Sequence, residues 1–339
     1  PEMICQLFGY CTENVHINEA VGLLVRQMYR PTWEPSELLR ILHTAMSTDP
    51  QLLRAEVLLC TQPMAICVML RALTELPMLL YQAFPLVGAT PAAHRDLVLL
   101  NFREMFRAPR RSAFVAYSEF LSVQFERQVG RRPLCIRPHS LYATLTGLYN
   151  PDREDPRILV SRTAGWARDG ASALVHLTES FAERDLRPGT RFRFIFLGMS
   201  RPPSDTVAGI ANPFGYPELR RFRAAVFFPW DMGMLLFSEL YNMGVPLLVP
   251  NRAWMASIIK RMLEYTDFGW WQARQDSAVT VPKEAQHGSM PLWVGANSSV
   301  AEVLALYDLT DFVRWPQVVS FASLPDLTAR LLGLDFDAA

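Results

Sequence analysis

Short apolar runs alternate with longer amphipathic segments along almost the whole chain. In the first half the runs "MICQLFGY", "AEVLLCTQP", "PMLLYQ", "SAFVAYS" and "RPLCIRP" are typical of buried strands. The segments between them include "EPSELLRILHTAMS", "MAICVMLRALTE" and "EFLSVQFERQVG", which have helical periodicity. Strands that are apolar on both faces and alternate with helices indicate an α/β fold, with a parallel sheet covered by helices on both sides.

The polar segment "YNPDREDP", residues 149–156, interrupts this pattern and is typical of a domain linker. After it the alternation restarts with the strand-like runs "RILVSR", "RFRFIFLG", "AAVFFP", "PLLVP" and "VVSF". We therefore predict two tandem Rossmann-like domains, residues 1–148 and 149–339. In such sheets ligands bind beyond the carboxyl ends of the strands, and we expect the site in a cleft between the domains.

Composition limits the kinds of partner. The 339 residues carry no net charge, which argues against a nucleic-acid polymer as ligand, and half of them are apolar, enough for a sizeable core. No run reaches the ~18 uninterrupted apolar residues of a membrane span. The chain begins at Pro1, so we expect a piece of a longer or processed protein. Membrane association through an upstream segment stays an open alternative. The cytoplasm and the Golgi or endoplasmic reticulum lumen both stay open as compartments.

The five cysteines do not form a recognisable framework. Their number is odd, they contain no CxxC pair, and Cys60, Cys67 and Cys135 stand in apolar surroundings. This pattern predicts buried free thiols rather than disulfides or a zinc site.

The stretch "FFPWDMGMLLFSELYNMGVPLLVP" places two acids, Asp231 and Glu239, eight positions apart in an otherwise apolar run. The spacing predicts a strand that ends near Pro229 and a helix over Gly233–Tyr241. Asp231 then lies in the strand-to-helix loop, and the amides of residues 232–235 open the helix. Unpaired N–H groups and the positive dipole end at a helix start favour a phosphate or a sugar hydroxyl.

Asp231, Glu239 and the following Gly244-Val245-Pro246 resemble the acid-x7-acid motif of the retaining, nucleotide-sugar-dependent glycosyltransferases of the GT-B fold, the glycogen-synthase-like group. That group has Glu where this chain has Asp231, and small residues where it has Met232 and Met234. A second match is "ILVSRTAGWARDG", in which Arg162 follows a strand and Arg168 stands where the group has Lys.

The resemblance implies a metal-independent hexosyltransferase without a cofactor. It would move a sugar from a nucleoside diphosphate sugar, such as a UDP-sugar, to an unknown glycan, protein or small-molecule acceptor, with retention. Asp231 would contact the donor sugar, and Arg162 and Arg168 would neutralise the diphosphate. Glu239 would hold the ribose hydroxyls. The remaining donor-lining residues would be Met232, Gly233, Met234, Leu235 and Gly198.

The acceptor side would come from the N-terminal domain. Its candidates are His16, Gln62 and the loop Gln82–Gly88, with no motif to choose among them.

Other interpretations stay open at this level. Asp231 and the two methionines favour a GT-B-like scaffold or regulatory subunit without catalysis, and an epimerase or hydrolase on the same fold is a further alternative. Asp231 alone is typical of a helix N-cap, and Glu239 alone of a solvated helix face. Arg162 and Arg168 could pair with the linker acids. A nicotinamide dehydrogenase is disfavoured, because no strand leads into GxGxxG.

Overall fold

The protein divides into two compact units. The computed structural model describes residues 34–48, 52–61, 63–83, 86–87, 90–107, 111–137, 139–152, 156–160, 192–196, 215–229, 233–265 and 299–333. Contacts assign Pro1–Arg137 with Asp267–Glu302 to the first unit, and Pro138–Thr266 with Val303–Ala339 to the second.

The first unit contains a four-stranded parallel sheet of order β1-β2-β3-β4. Its described elements are α1 (Pro35–Thr48), a 3-10 turn (Leu52–Arg54), β1 (Leu58–Cys60), α2 (Ala65–Leu73), β2 (Met78–Gln82), α3 (Ala92–Arg107), β3 (Ser112–Ala116), α4 (Glu119–Val129) and β4 (Leu134–Cys135).

The described helices of this unit pack on one face of its sheet. Right-handed crossovers between strands that neighbour each other in chain order place every connecting helix on the same side. The side chains of Cys60, Leu80 and Phe114 share that face and form one core with residues of α1, α2, α3 and α4. On the opposite face Leu59 and Leu134 are 67% and 63% exposed. The one-residue alternation along each strand thus sets these two groups of side chains on opposite faces of the sheet.

The helix α4 illustrates how local sequence sets an element's ends. Ser118 lies in extended conformation before the helix, and its hydroxyl accepts a hydrogen bond from the Leu121 N–H. Gly130 follows the helix with φ +88°, a left-handed conformation that glycine adopts without a steric cost. Both end residues are the types that favour helix starts and stops.

The second unit contains a five-stranded parallel sheet of order β6-β5-β7-β8-β9. Its described elements are α5 (Leu141–Thr144), β5 (Arg157–Val160), β6 (Arg193–Phe196), α6 (Tyr216–Leu219), β7 (Ala224–Val226), α7 (Leu235–Asn242), β8 (Leu247–Pro250), α8 (Arg252–Tyr265), α9 (Val300–Tyr307, which begins in the first unit), α10 (Asp311–Arg314), β9 (Val319–Phe321) and α11 (Leu324–Gly333).

All strands are parallel, but the direction in which the chain adds strands across the sheet reverses once. From β5 the chain moves outward to β6, and then returns past β5 to β7 and on to β8 and β9. The reversal makes the boundary between β5 and β7 a topological switch point. The central strands are fully enclosed, with Ile158, Val160, Val226 and Leu248 all buried in one core. The predicted α/β fold with two parallel sheets is therefore confirmed.

Part of the predicted linker packs on the second unit. The Tyr149 N–H donates to the Met243 carbonyl at 2.7 Å, and the Tyr149 hydroxyl donates to the Arg223 carbonyl at 2.9 Å. The Asn150 N–H donates to the Arg220 carbonyl at 3.1 Å. The division between the units accordingly falls at residues 137 and 138, ahead of the linker.

The prediction of free thiols at Cys60 and Cys67 is wrong, because the structure joins them in a disulfide. Cys60 closes β1 and Cys67 lies in the first turn of α2, so the turn between strand and helix brings their Cα atoms to 5.7 Å. Both residues are buried. Cys135 is not disulfide-bonded, while Cys5 and Cys11 lie outside the described residues.

Removing this disulfide is expected to destabilise the first unit. In the loop-closure model, a bond that closes so short a loop contributes about 2–3 kcal/mol to the free energy of unfolding. The double variant Cys60→Ser, Cys67→Ser should lose that amount in urea unfolding. Wild-type protein in reductant should lose it too, while Cys135→Ser without reductant should match the wild type. Identical wild-type unfolding curves with and without reductant would contradict the bond.

The described helices are short in comparison with a membrane crossing. The helix α3 has 16 residues, whereas a crossing needs about 20 apolar ones. No helix among the described residues combines the length and the apolar composition of a membrane span.

Candidate functional site

At the switch point of the second sheet, the carboxyl ends of two strands lie side by side. Val160, the last residue of β5, lies beside Val226, the last residue of β7, in the parallel register. The loops that leave these two strands therefore start next to each other at the carboxyl edge. In open α/β sheets this is the position where ligands bind.

The two predicted arginines follow β5 in the sequence. Arg162 follows the end of the strand by two residues, and Arg168 comes six residues later. Both arginines lie outside the described residues, and so does Gly198, which follows β6. The structure thus shows only where the segment with the arginines begins, at the carboxyl end of β5.

The loop after β7 carries the first acid. Phe227 and Phe228 are buried, and the Phe227 N–H donates to the Leu248 carbonyl at 2.8 Å, which holds the start of the loop to the sheet. Asp231 and Met232 lie outside the described residues. The helix predicted over 233–241 is observed as α7, and its N-cap is Met234, which is buried and in extended conformation. Asp231 is therefore not the N-cap of α7.

Glu239 lies in the second turn of α7 and is 8% exposed. The alternative of a solvated helix face is therefore wrong for this residue. Its neighbours Ser238 and Leu240 are also buried. A carboxylate held in so enclosed a position costs free energy unless polar groups meet it, and carboxylates accept strong hydrogen bonds from hydroxyl and N–H groups.

Aromatic packing sets the rotation of α7. The Phe237 ring lies 4.7 Å from Phe312 and 5.9 Å from Trp315, and Tyr241 lies 4.3 Å from Trp315, measured between ring centroids. Residues four apart share a helix face, while residues two apart differ by about 200°. Glu239 therefore lies on the opposite side of α7 from the face that packs on the segment Asp311–Trp315.

The Gly-x-Pro part of the motif has a structural explanation. Gly244 has φ +83°, and its N–H donates to the Tyr241 carbonyl at 2.9 Å. The Val245 N–H donates to the Leu240 carbonyl, and the Ala225 N–H donates to the Pro246 carbonyl. These bonds end α7 and lead the chain into β8, with the left-handed residue that helix ends favour. Gly244 and Pro246 position α7 and are not needed as ligand contacts.

The edge beyond β8 is occupied by structural contacts. The Asn251 side-chain oxygen accepts from the Trp254 N–H at 3.0 Å and so caps α8. Arg252 donates two hydrogen bonds to Asp308, at 2.8 and 2.7 Å. These residues stabilise α8 and α9 rather than offer groups to a ligand.

One of the predicted acceptor residues lies in the first sheet. His16 and Gln62 lie outside the described residues, but Gln82 is the last residue of β2. It is 1% exposed, and in the described part of the chain neither its amide oxygen nor its amide nitrogen has a hydrogen-bond partner. The sequence signal for it was a polar residue closing the apolar run "MLLYQ". Next to it, burial raises the pKa of Tyr81, and the nearby Cys135 raises it further.

Among the described residues no group of three His, Cys, Asp or Glu side chains could hold a metal ion. Comparison of the chain with protein-family models and with curated proteins found no match.

Proposed function

We propose that this protein is a retaining glycosyltransferase of the GT-B type, which transfers a sugar from a nucleoside diphosphate sugar to an acceptor hydroxyl. One observation carries the proposal. The strand order of the second sheet sets the carboxyl end of β5, which precedes Arg162 and Arg168 in the sequence, beside the carboxyl end of β7, which precedes Asp231, at a switch point. The helix that follows the second loop contains the buried Glu239.

The chemistry requires two kinds of charge. Cleavage at the anomeric carbon leaves negative charge on the departing phosphate and positive charge on the sugar. The guanidinium groups of Arg162 and Arg168 would neutralise the diphosphate with paired hydrogen bonds, without a metal. The carboxylate of Asp231 would face the sugar and stabilise its positive charge.

The two acids belong to different elements and take different roles. Since α7 begins at Leu235, Asp231 precedes the helix in the sequence and Glu239 lies within it. The loop residue would meet the sugar, whereas Glu239, held by helical packing, would accept hydrogen bonds from the ribose hydroxyls. The first amides of α7 would face the phosphates, as helix N-termini commonly do.

A thermal-shift screen tests the donor site. We expect UDP, GDP or ADP, or one of their sugars, to raise the melting temperature, because a ligand at 100 times its Kd stabilises the folded state by about 2.7 kcal/mol. The double variant Arg162→Met, Arg168→Met should lose the response. Arg221→Met is the matched control, since Arg221 is exposed and lies 3.6 Å from Asp152 at the surface.

Failure of every nucleotide to raise the melting temperature would refute the donor site. If a nucleotide sugar binds, its consumption together with acceptor sugars separates a transferase from a scaffold that only binds the donor. Consumption without any acceptor would instead indicate a hydrolase or an epimerase.

A further inference from the structure

The amide of Gln82 is a buried polar group without a partner among the residues that the structure describes. Gln82 pairs in register with Ala116 on β3, and its backbone carbonyl accepts a hydrogen bond from the Tyr117 N–H at 3.0 Å. Its side chain is on the same side of β2 as Met78 and Leu80, the face that the helices cover. The described residues offer no group to either end of the amide.

A group in this state lowers the stability of the free protein. Each buried donor or acceptor that loses its water partner costs about 1–3 kcal/mol, and folded proteins satisfy the large majority of such groups. Methionine has nearly the same shape and would fill the position without that cost. A glutamine at the carboxyl end of a strand, with no partner among the described residues, therefore points to a ligand there.

The position of Gln82 is suited to a ligand. It stands at the carboxyl edge of the sheet, where α2, α3 and α4 begin. The N-cap residue of α2, Met64, supplies no side-chain cap to the first amides of that helix. The hydroxyl of Thr90, on the connection between β2 and α3, is also buried and finds no hydrogen-bond partner among the described residues. Two unsatisfied polar side chains thus flank one strand-to-helix connection.

The chemistry of an amide selects the ligand. An amide offers two N–H donors and one oxygen acceptor and carries no charge. A phosphate or carboxylate would satisfy the donors but place its negative charge against the amide oxygen, and an ammonium ion would do the reverse. A hydroxyl group donates and accepts, so neighbouring hydroxyls satisfy both ends of the amide.

We infer that the carboxyl edge of the first sheet binds a neutral molecule rich in hydroxyl groups, a sugar or polyol, and that Gln82 and Thr90 hydrogen-bond to it. The identification of this molecule with the acceptor rests on the proposed function. Binding itself requires neither a nucleotide nor the second sheet.

Saturation-transfer NMR on the full chain tests this site with glucose, galactose, mannose, N-acetylglucosamine and myo-inositol as probes. At least one probe should bind. Gln82→Met should weaken that binding by about tenfold or more, since it removes the paired hydrogen bonds, while it raises the melting temperature of the free protein. Thr90→Val should change both quantities in the same directions.

Gln128→Met is the matched control. Gln128 is likewise 1% exposed with both amide atoms unpartnered, but it lies in the last turn of α4, far along the helix from the edge where α4 begins. Its replacement should raise the melting temperature and leave sugar binding unchanged.

Two results would overturn the inference. One is that none of the probes binds. The other is that Gln82→Met and Thr90→Val raise the melting temperature with sugar affinity unchanged, as expected if enclosed water is the partner of these groups. The nucleotide screen on the same protein keeps the proposals apart. Sugar binding without a nucleotide response refutes only the donor site, and the converse refutes only this one.

Discussion

Glu239→Gln is expected to weaken nucleoside diphosphate binding by about 10- to 100-fold, the loss expected when neutral acceptors replace a charged one. The carboxylate of Glu239 is held on a helix whose rotation is set by aromatic packing, and it is buried. Ribose hydroxyls would donate to this carboxylate. The amide keeps the shape of the side chain but has only one acceptor, and its NH₂ group opposes a donating hydroxyl.

Isothermal titration calorimetry with UDP, GDP and ADP measures this effect, with the melting temperature of each variant as the check on folding. Ser238→Ala is the matched control, because Ser238 is the buried neighbour of Glu239 on the same helix. We expect it to keep wild-type affinity. If Glu239→Gln also keeps wild-type affinity for a nucleotide that binds, Glu239 does not contact the ribose.

Phe237→Ala is expected to lower the free energy of unfolding of the second unit by about 3–5 kcal/mol, as large-to-small changes of buried aromatic residues do. The ring is 1% exposed. It makes edge contacts with Phe227 at 5.3 Å and Phe312 at 4.7 Å. Its loss removes the contacts that join α7 to the strand-to-helix loop and to α10, and it leaves a cavity between them.

Urea unfolding followed by tryptophan fluorescence measures this change, since Trp315 packs against the same ring. Leu235→Ala is the control on the same helix, and its exposed side chain should leave stability within about 1 kcal/mol. Nucleotide affinity of Phe237→Ala should also fall in conditions where the variant is folded, because α7 carries Glu239. A stability loss no larger than that of Leu235→Ala would show that this aromatic cluster does not anchor α7.

The candidate site could be predicted only in part. The strand-to-helix change after Phe228 and the helix with Glu239 follow from local apolar periodicity, which the structure confirms in α7. The burial of Glu239 could not be read from its sequence neighbours. It depends on contacts of α7 with distant parts of the chain, such as α5.

The cysteines and Gln82 show the same limit. Cys60 and Cys67 are seven residues apart, and only the direction of the turn from β1 into α2 brings their sulfur atoms together. The run "MLLYQ" predicted a strand, but the isolation of its final amide depends on which side chains of neighbouring strands and helices surround it.

The sequence by itself determined that this is an α/β protein with parallel strands, because periods of 2 and 3.6 residues and runs that are apolar on both faces are local properties of the chain. It also determined where the acids and arginines stand relative to the ends of their strands. Only the tertiary structure decided the strand order β6-β5-β7-β8-β9 and with it the adjacency of the carboxyl ends of β5 and β7. Strand order depends on pairing between residues far apart in sequence, which neither periodicity nor local propensity specifies.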